Sequence, residues 1–267
     1  MNSAANVEPP LVTRGRNSFS QGDACLVASA EGYARWAPFY DQTPNPLLAR
    51  EERHLLPLLT GLRNRSMLDL ACGTGRWLEK LTGRAGGWGV GIDCSIEMLC
   101  VAAKKDAISG RLVRSGCANL PFRSGVFDLA ICSFSLGHIL DLRSMVREVA
   151  RVTKSGADVF VSDLHPEAYA RGWRVGFRDR SAAIQIETIP RTTEQIVHAF
   201  CADGFELRTF QELRLGDPER HIFEIAGKAQ SFQEARHPAA VLVCHFKRLT
   251  PPFGGPPFEV KATEPGS

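Results

Sequence analysis

The sequence predicts an α/β fold: a doubly wound, mostly parallel seven-stranded sheet with helices on both faces, an antiparallel edge strand at the C-terminus and an N-terminal helical lid. Three observations predict it. From residue 66 onward short apolar runs alternate with amphipathic stretches, the pattern of strands joined by crossover helices. The run LDLACGTGRW (68–77) closes an apolar strand with a glycine-containing turn that opens a helix. The last two strand-like runs lack a crossover helix of the earlier kind, so they read as a hairpin-like pair at the sheet edge.

Each element follows in order. Residues 1–24 are polar and aperiodic and are predicted to be a loose arm. Aromatic residues then gather as Tyr33, Trp36, Phe39 and Tyr40. TPNP breaks the chain, and Asn45-Pro46 starts a helix whose apolar residues recur at helical spacing over 47–59. Together 25–60 form the predicted lid. Strands are expected at 66–72, 88–93, 111–117, 127–134, 157–164, 206–215 and 239–249. Helices are expected at 75–84, at 95–107 with Ser95 as N-cap, at 142–156 ending on Gly156, and at 192–205 capped by Thr192 or Thr193. A polar, aromatic insertion on the substrate side covers 164–190. The main domain spans 25–249, and the Pro/Gly-rich stretch 250–267 is predicted disordered.

Composition narrows the function classes. Hydrophobic residues make up 44% and charged residues 23%, ordinary for a globular chain of 267 residues. A net charge of +3 without Lys/Arg blocks gives no footprint for nucleic acid or an anionic membrane surface. No apolar run is long enough to span a bilayer, and the N-terminus lacks the apolar core of a signal peptide. The eight cysteines form no CxxC pair and have no His cluster beside them, and Cys132 and Cys244 lie inside apolar runs. They read as reduced thiols of a cytoplasmic protein, with no metal site.

The glycines at the first turn address a ligand. In a doubly wound sheet, ligands bind beyond the carboxyl ends of the strands at the switch point. Gly73 and Gly75 allow close approach and unusual φ, and the helix that follows presents free N–H groups. The spacing lacks the third glycine of G-x-G-x-x-G, since position 78 is Leu, which weakens a pyrophosphate reading. The second strand ends in Asp93, a carboxylate placed to accept both hydroxyls of a ribose. An adenosine-bearing ligand is implied.

LDLACGTGRW, GIDCSIEML, CANLPF, FDLAICSFSLGHI and VREVARVTKSGADVFVSD, in this order, resemble the successive motifs of class I S-adenosylmethionine-dependent methyltransferases. The likeness is greatest to the small-molecule branch that includes the ubiquinone/menaquinone and biotin-pathway enzymes, and YARWAPFYD resembles the Tyr-rich segment preceding the core there. The resemblance implies S-adenosylmethionine as cofactor and a site built residue by residue. Asp69, Gly73, Thr74 and Gly75 belong at the methionine end, Asp93 at the ribose, and Cys94 and Met98 beside the adenine. Cys117 and Ala118 meet the adenine edge, Ser133 and Phe134 lie beside the methionyl group and acceptor, and Tyr33 and Tyr40 close over the cofactor. Gly116 stands where the family often has an adenine-binding Asp, and Thr153–Ala157 departs mildly from the usual Leu-Lys-Pro-Gly-Gly.

Several residues carry two readings. Asp93 also suits a helix cap, and Asp69, awkward as an unpaired buried carboxylate, also serves the loop. His138 and His165 are the candidate catalytic bases, each also readable as a packing residue. Trp173 and Phe177 with Arg171, Arg174 and Arg178 form either the packed face of a helix or a patch for an aromatic or anionic small-molecule acceptor. The expected reaction is in-line methyl transfer to O, N or C. A catalytically silent, methyltransferase-like binding or scaffold subunit is the alternative, and a nicotinamide oxidoreductase is disfavoured by the missing glycine and the absence of a Tyr-x-x-x-Lys pair. Oligomeric state stays open.

Overall fold

A computed structural model describes residues 24–62, 65–82, 87–179 and 182–250. The predicted arm and tail, apart from their innermost residues, lie outside this set.

The chain opens with β1 (Ala24–Val27), α1 (Ser29–Trp36), a 3₁₀ segment (Ala37–Gln42) and α2 (Pro46–Thr60). The alternating unit follows: β2 (Met67–Leu70), α3 (Arg76–Thr82), β3 (Gly89–Asp93), α4 (Ile96–Ala102), β4 (Leu112–Arg114), β5 (Phe127–Ser133), α5 (Leu142–Val152) and β6 (Thr153–Leu164). After α6 (Pro166–Ala170) come β7 (Gly176–Arg178) and β8 (Ala183–Ile186). The chain closes with α7 (Thr193–Ala202), β9 (Phe205–Leu213), α8 (Asp217–Ile225), α9 (Phe232–Ala235) and β10 (Val241–Arg248).

Seven strands form one sheet in the order β4-β3-β2-β5-β6-β10-β9. All but β10 run parallel; β10 is antiparallel to both β6 and β9. The fold is therefore the expected one, with the antiparallel strand one place in from the edge and β9 outermost. Strand periodicity divides the core. Leu129, Ile131, Phe160, Val241 and Val243 face α2, α3 and α8, while Ala130, Cys132, Val159, Val161, Leu242 and Cys244 face α5 and α7. No helix of the described residues is long and apolar enough to cross a membrane.

Local capping follows the chemistry that the sequence offers. Asn45 accepts from Leu47 N and Leu48 N with Pro46 at the first helical position, Ser95 accepts from Met98 N, and Thr192 builds a capping box with Gln195. Several boundaries differ, among them the predicted helix 95–107, which ends at Ala102, and the predicted strand 111–117, which ends at Arg114. The predicted helix 142–156 stops at Val152, because Thr153 is extended and pairs with Phe127. Gly156, expected as a helix cap, sits at φ +76 where the β5–β6 register shifts, so it serves a bulge.

The larger departure is a second sheet, β1-β8-β7, with β1 parallel to β8 and β7 antiparallel to it. It joins the start of the lid to the insertion, so the lid is not purely helical, and Phe177 lies on a strand of the insertion where a helix was the packed alternative. Its core is Val27, Trp36, Phe177, Ile184 and Ile186, and the Trp36 and Phe177 rings stack at 4.9 Å. The proposed acceptor patch is overturned here. Trp173 and Phe177 are buried, Arg174 donates to the carbonyls of Tyr169 and Trp173, and Arg171 pairs with Glu167. These groups are spent on structure. Phe177→Ala is expected to cost about 3–5 kcal/mol. Limited proteolysis should then cut the β1–α1 region first while the seven-stranded sheet keeps its far-UV signature.

Candidate functional site

Strand order reverses between β2 and β5, and a cavity of about 430 Å³ opens beyond their carboxyl ends. Its floor is the turn after β2. Ala71, Gly73 and Gly75 there adopt left-handed φ values of 51, 55 and 80 degrees, and the backbone alternates so that Cys72 N reaches Ile92 O at 2.8 Å and Gly75 N reaches Cys72 O at 2.8 Å. A Cβ on Gly73 would meet nothing within 4 Å, whereas one on Gly75 would lie 2.4 Å from Ile108 Cδ1. Gly73 thus faces open cavity. Gly75, expected at the cofactor, is instead wedged against the 3₁₀ segment Asp106–Ile108 and does not border the cavity.

Asp93 ties the first two loops together. Its Oδ2 accepts from Gly73 N at 2.8 Å and its Oδ1 from Ser95 N at 2.8 Å. The cap of α4 is Ser95, so the expected helix-cap role of Asp93 gives way to bonds that join the two loops, and the backbone and thiol of Cys94 also hydrogen-bond its carboxylate. Asp69 is buried and accepts from Leu78 N at 3.0 Å, which holds the start of α3 over the loop. Burial pushes its carboxyl up to about 7, against the lowering effect of that hydrogen bond. Cys94, Met98, Cys117, Ala118 and Gly116 line one end of the cavity, and no side chain fills the place of the absent Asp at Gly116.

The roof comes from the lid. Tyr33 and Tyr40 both border the cavity. Thr74 Oγ1 donates to Asp41 Oδ1 at 2.5 Å, and Asp41 pairs with Lys105 at 2.9 Å, which fastens the 3₁₀ segment of the lid to the glycine loop. At the far wall stand Ser133 and Phe134, the latter at φ +50. Ser133 Oγ donates to Glu51 Oε1 at 2.7 Å and accepts from Arg76 Nη2 at 3.1 Å. Glu51 is fully buried and also receives Arg76 and Ser162. Glu51, Arg76 and Asp41 escaped the sequence reading. Glu51 had a signal: it sits on the stripe Glu51, Leu55, Leu59 of α2, where a helix buries apolar residues.

The two histidines separate. His138 borders the cavity, and burial pushes it down to about 4, so it stays neutral. His165 does not border it. Its Nδ1 accepts from Glu167 N at 3.0 Å as the cap of α6, and its Nε2 donates to Glu212 at 2.9 Å. With both nitrogens engaged away from the cavity, His165 is a structural residue, and its expected place in the substrate pocket is corrected. A void of about 540 Å³ at the opposite end of β2 is bordered by none of the expected site residues.

The fold is the Rossmann-like fold of class I S-adenosylmethionine-dependent methyltransferases, and the site resembles theirs. Residues 68–161 match the family model described as methyltransferase domain. Among relatives, the chain is 38% identical over 97 residues to a demethylmenaquinone methyltransferase of Mycolicibacterium vanbaalenii, covering 36% of this chain and 41% of that one. It is 33% identical over 132 residues to the demethylmenaquinone methyltransferase of Lactiplantibacillus plantarum, covering 45% and 56%. The alignments span about half the length of these relatives. A solved S-adenosylmethionine-dependent methyltransferase from Mesorhizobium loti shares the fold, with a TM-score of 0.54 at 20% identity over 73% of this chain and 97% of that one.

Two outcomes follow from this geometry. Gly75→Ala should cost about 2–4 kcal/mol in urea denaturation, since it adds a clash to an unfavourable φ, whereas Gly73→Ala should cost about 1 kcal/mol because its Cβ meets open space. Asp69 carries the second. Its folded-state pKa lies above the unfolded value, so the folded chain binds the extra proton between about pH 4 and 7, and stability falls as pH rises through that window. Asp69→Asn keeps an oxygen for Leu78 N and removes that slope. Its stability relative to the parent chain should therefore improve from about pH 4 to about pH 8 when denaturation midpoints are compared.

Proposed function

We propose that this chain transfers the methyl group of S-adenosylmethionine to a small-molecule acceptor bound beneath the lid. The observation that carries the reading is the cavity at the switch point, whose wall collects Tyr33, Asp69, Gly73, Asp93, Cys117 and Ser133 from separate stretches of sequence. The residues fit the group. The space beyond Gly73 leaves room for close approach to the backbone, and the Asp93 carboxylate at the end of β3 borders the cavity where ribose hydroxyls would lie. Met98, Cys94 and Cys117 offer polarizable walls to a flat base. With Gly116 in place of the acid, recognition of the base edge falls to backbone groups.

When bound, the cofactor supplies an electrophilic methyl group on a sulfonium, open to in-line displacement. The chain contributes alignment and exclusion of water. Tyr33 and Tyr40 roof the site, the Asp41–Thr74 bond holds that roof against the glycine loop, and Glu51 with Arg76 fixes Ser133 at the wall. The acceptor enters on the side of Tyr33, His138 and Phe134, beside a small apolar chamber of about 50 Å³ that includes Trp36 and Leu48. The named activity of the relatives, on demethylmenaquinone, supports a small acceptor with apolar surface. Residues 25–249 act as the catalytic unit, and the absence of any cysteine pairing suits a reducing, cytoplasmic setting.

Calorimetry with S-adenosylmethionine and S-adenosylhomocysteine tests this. The chain should bind both, and Asp93→Ala should bind at least about tenfold more weakly while melting as a folded protein. Absence of binding by the unaltered chain to either ligand overturns the reading.

A further inference from the structure

One glycine at the cavity is demanded neither by the backbone nor by packing. Gly116 borders the cavity and is exposed, and a Cβ added to it would meet nothing within 4 Å. Its φ lies outside the left-handed range that Gly73 and Gly75 occupy. A glycine in such a backbone costs chain entropy, and here it secures no turn and no close contact. What its missing side chain leaves is open space at a defined place in the site. Strand register fixes that place. β3 and β4 run side by side with Asp93 opposite Arg114, and Ser115 N donates to Asp93 O at 3.0 Å. The turn 115–118 therefore lies one strand farther out than the Asp93 carboxylate. A nucleoside with its ribose at Asp93 carries its base to this turn.

The polar groups at this turn are donors. Among the described residues, none accepts a hydrogen bond from the N–H of Gly116, Cys117 or Ala118. Such groups suit the ring nitrogens of a base, which accept. An exocyclic amino group donates, and the side chains bordering this end give it no carboxylate or amide oxygen. They are those of Cys94, Met98, Ser115, Cys117 and Ala118. Ser115 Oγ is turned onto the carbonyls of Gly116 and Asn119, each at 3.1 Å, and burial holds the Cys117 thiol up at about 12, so it stays neutral. The carboxylates that border the cavity are engaged elsewhere. Asp69 receives Leu78 N, Asp93 receives Gly73 N and Ser95 N, and Asp141 receives Ser144 N as the cap of α5.

Building on the methyltransferase reading, we infer that Gly116 sets the base specificity of the cofactor site. The exocyclic amino group is left unread, and a cofactor substituted on that nitrogen is accepted, its substituent leaving past Gly116 to solvent. The class recognised is wider than the adenosyl group itself. It covers purine nucleosides substituted on the exocyclic nitrogen that keep an accepting ring nitrogen beside it and both ribose hydroxyls. Specificity is a difference of affinities, and the contact that would create this difference is absent. An acidic side chain at position 116 would supply it twice over, by holding the free amino group and by closing the exit. The position tolerates one, since its backbone is unstrained and open space surrounds it.

The test titrates the full chain in a calorimeter with S-adenosylhomocysteine and with its derivative benzylated on the exocyclic nitrogen. The unaltered chain should bind the two within about threefold of each other. Gly116→Asp should bind S-adenosylhomocysteine about tenfold more tightly, through a charge-assisted hydrogen bond to the amino group, and the benzyl derivative at least about tenfold more weakly. Gly116→Ala, which adds bulk without an acceptor, should hold S-adenosylhomocysteine within about threefold of the unaltered chain. Both variants should melt as cooperatively as the unaltered chain. Binding of the benzyl derivative to the unaltered chain that is weaker by more than about threefold overturns the inference. So does a folded Gly116→Asp chain that keeps the parent ratio of the two affinities. Absence of binding to S-adenosylhomocysteine itself overturns the methyltransferase reading on which the inference rests.

Discussion

A carboxylate with no solvent exposure, Glu51, holds the architecture of the site together. It sits on the lid helix α2 and gathers Arg76 from the start of α3, Ser133 from the end of β5 and Ser162 from β6. Burying a charge is costly unless it is paired and its lone pairs are filled, and Glu51 meets both conditions. Because the partners come from three other elements, the cluster forms only when the lid is seated on the sheet. The same bonds place Ser133 at the cavity wall and turn Arg76 over the face of Trp77 at 4.7 Å. Polar satisfaction and cavity shape are thus one constraint.

The lid is held at two further points, by different physics. The small sheet β1-β8-β7 provides an apolar clasp through Trp36 and Phe177, and the Asp41–Thr74 bond provides a polar one at the glycine loop. Between them the backbone stores strain where a ligand would lie: Ala71 and Phe134 are non-glycine residues at φ near +50, at the ends of the two central strands. Such conformations persist because neighbouring bonds, such as Phe134 N to Ser162 O at 2.9 Å, over-determine them.

Burial also sets the electrostatic character of the cavity region. It keeps His138 neutral, raises Asp69 to about 7, and lifts the Tyr33 and Tyr40 hydroxyls, the latter to about 12. Asp93 is raised as well, with backbone N–H groups from Gly73 and Ser95 opposing that effect.

The sheet, its order of elements and the glycine loop were legible from one sequence, because strand and helix periodicities and turn residues are local properties. So were Gly73, Asp93, Cys117 and Ser133, whose placement follows once strand ends are known. The failures share a cause. His165 and His138 both follow a strand end, yet only tertiary contacts send one into a cap with Glu212 and the other to the cavity. Trp173 and Phe177 carry the composition of a binding patch, and only pairing of β1 with β8 makes them core. Gly75 looks like its neighbour Gly73 until Ile108, distant in sequence, fills the space beside it. Sequence alone determined the fold class and the loops that meet at the site, since backbone preference and hydrophobic pattern act over a few residues. Which side chains face the cavity, and which are consumed in holding it, was decided by contacts across long stretches of chain, which no local pattern encodes.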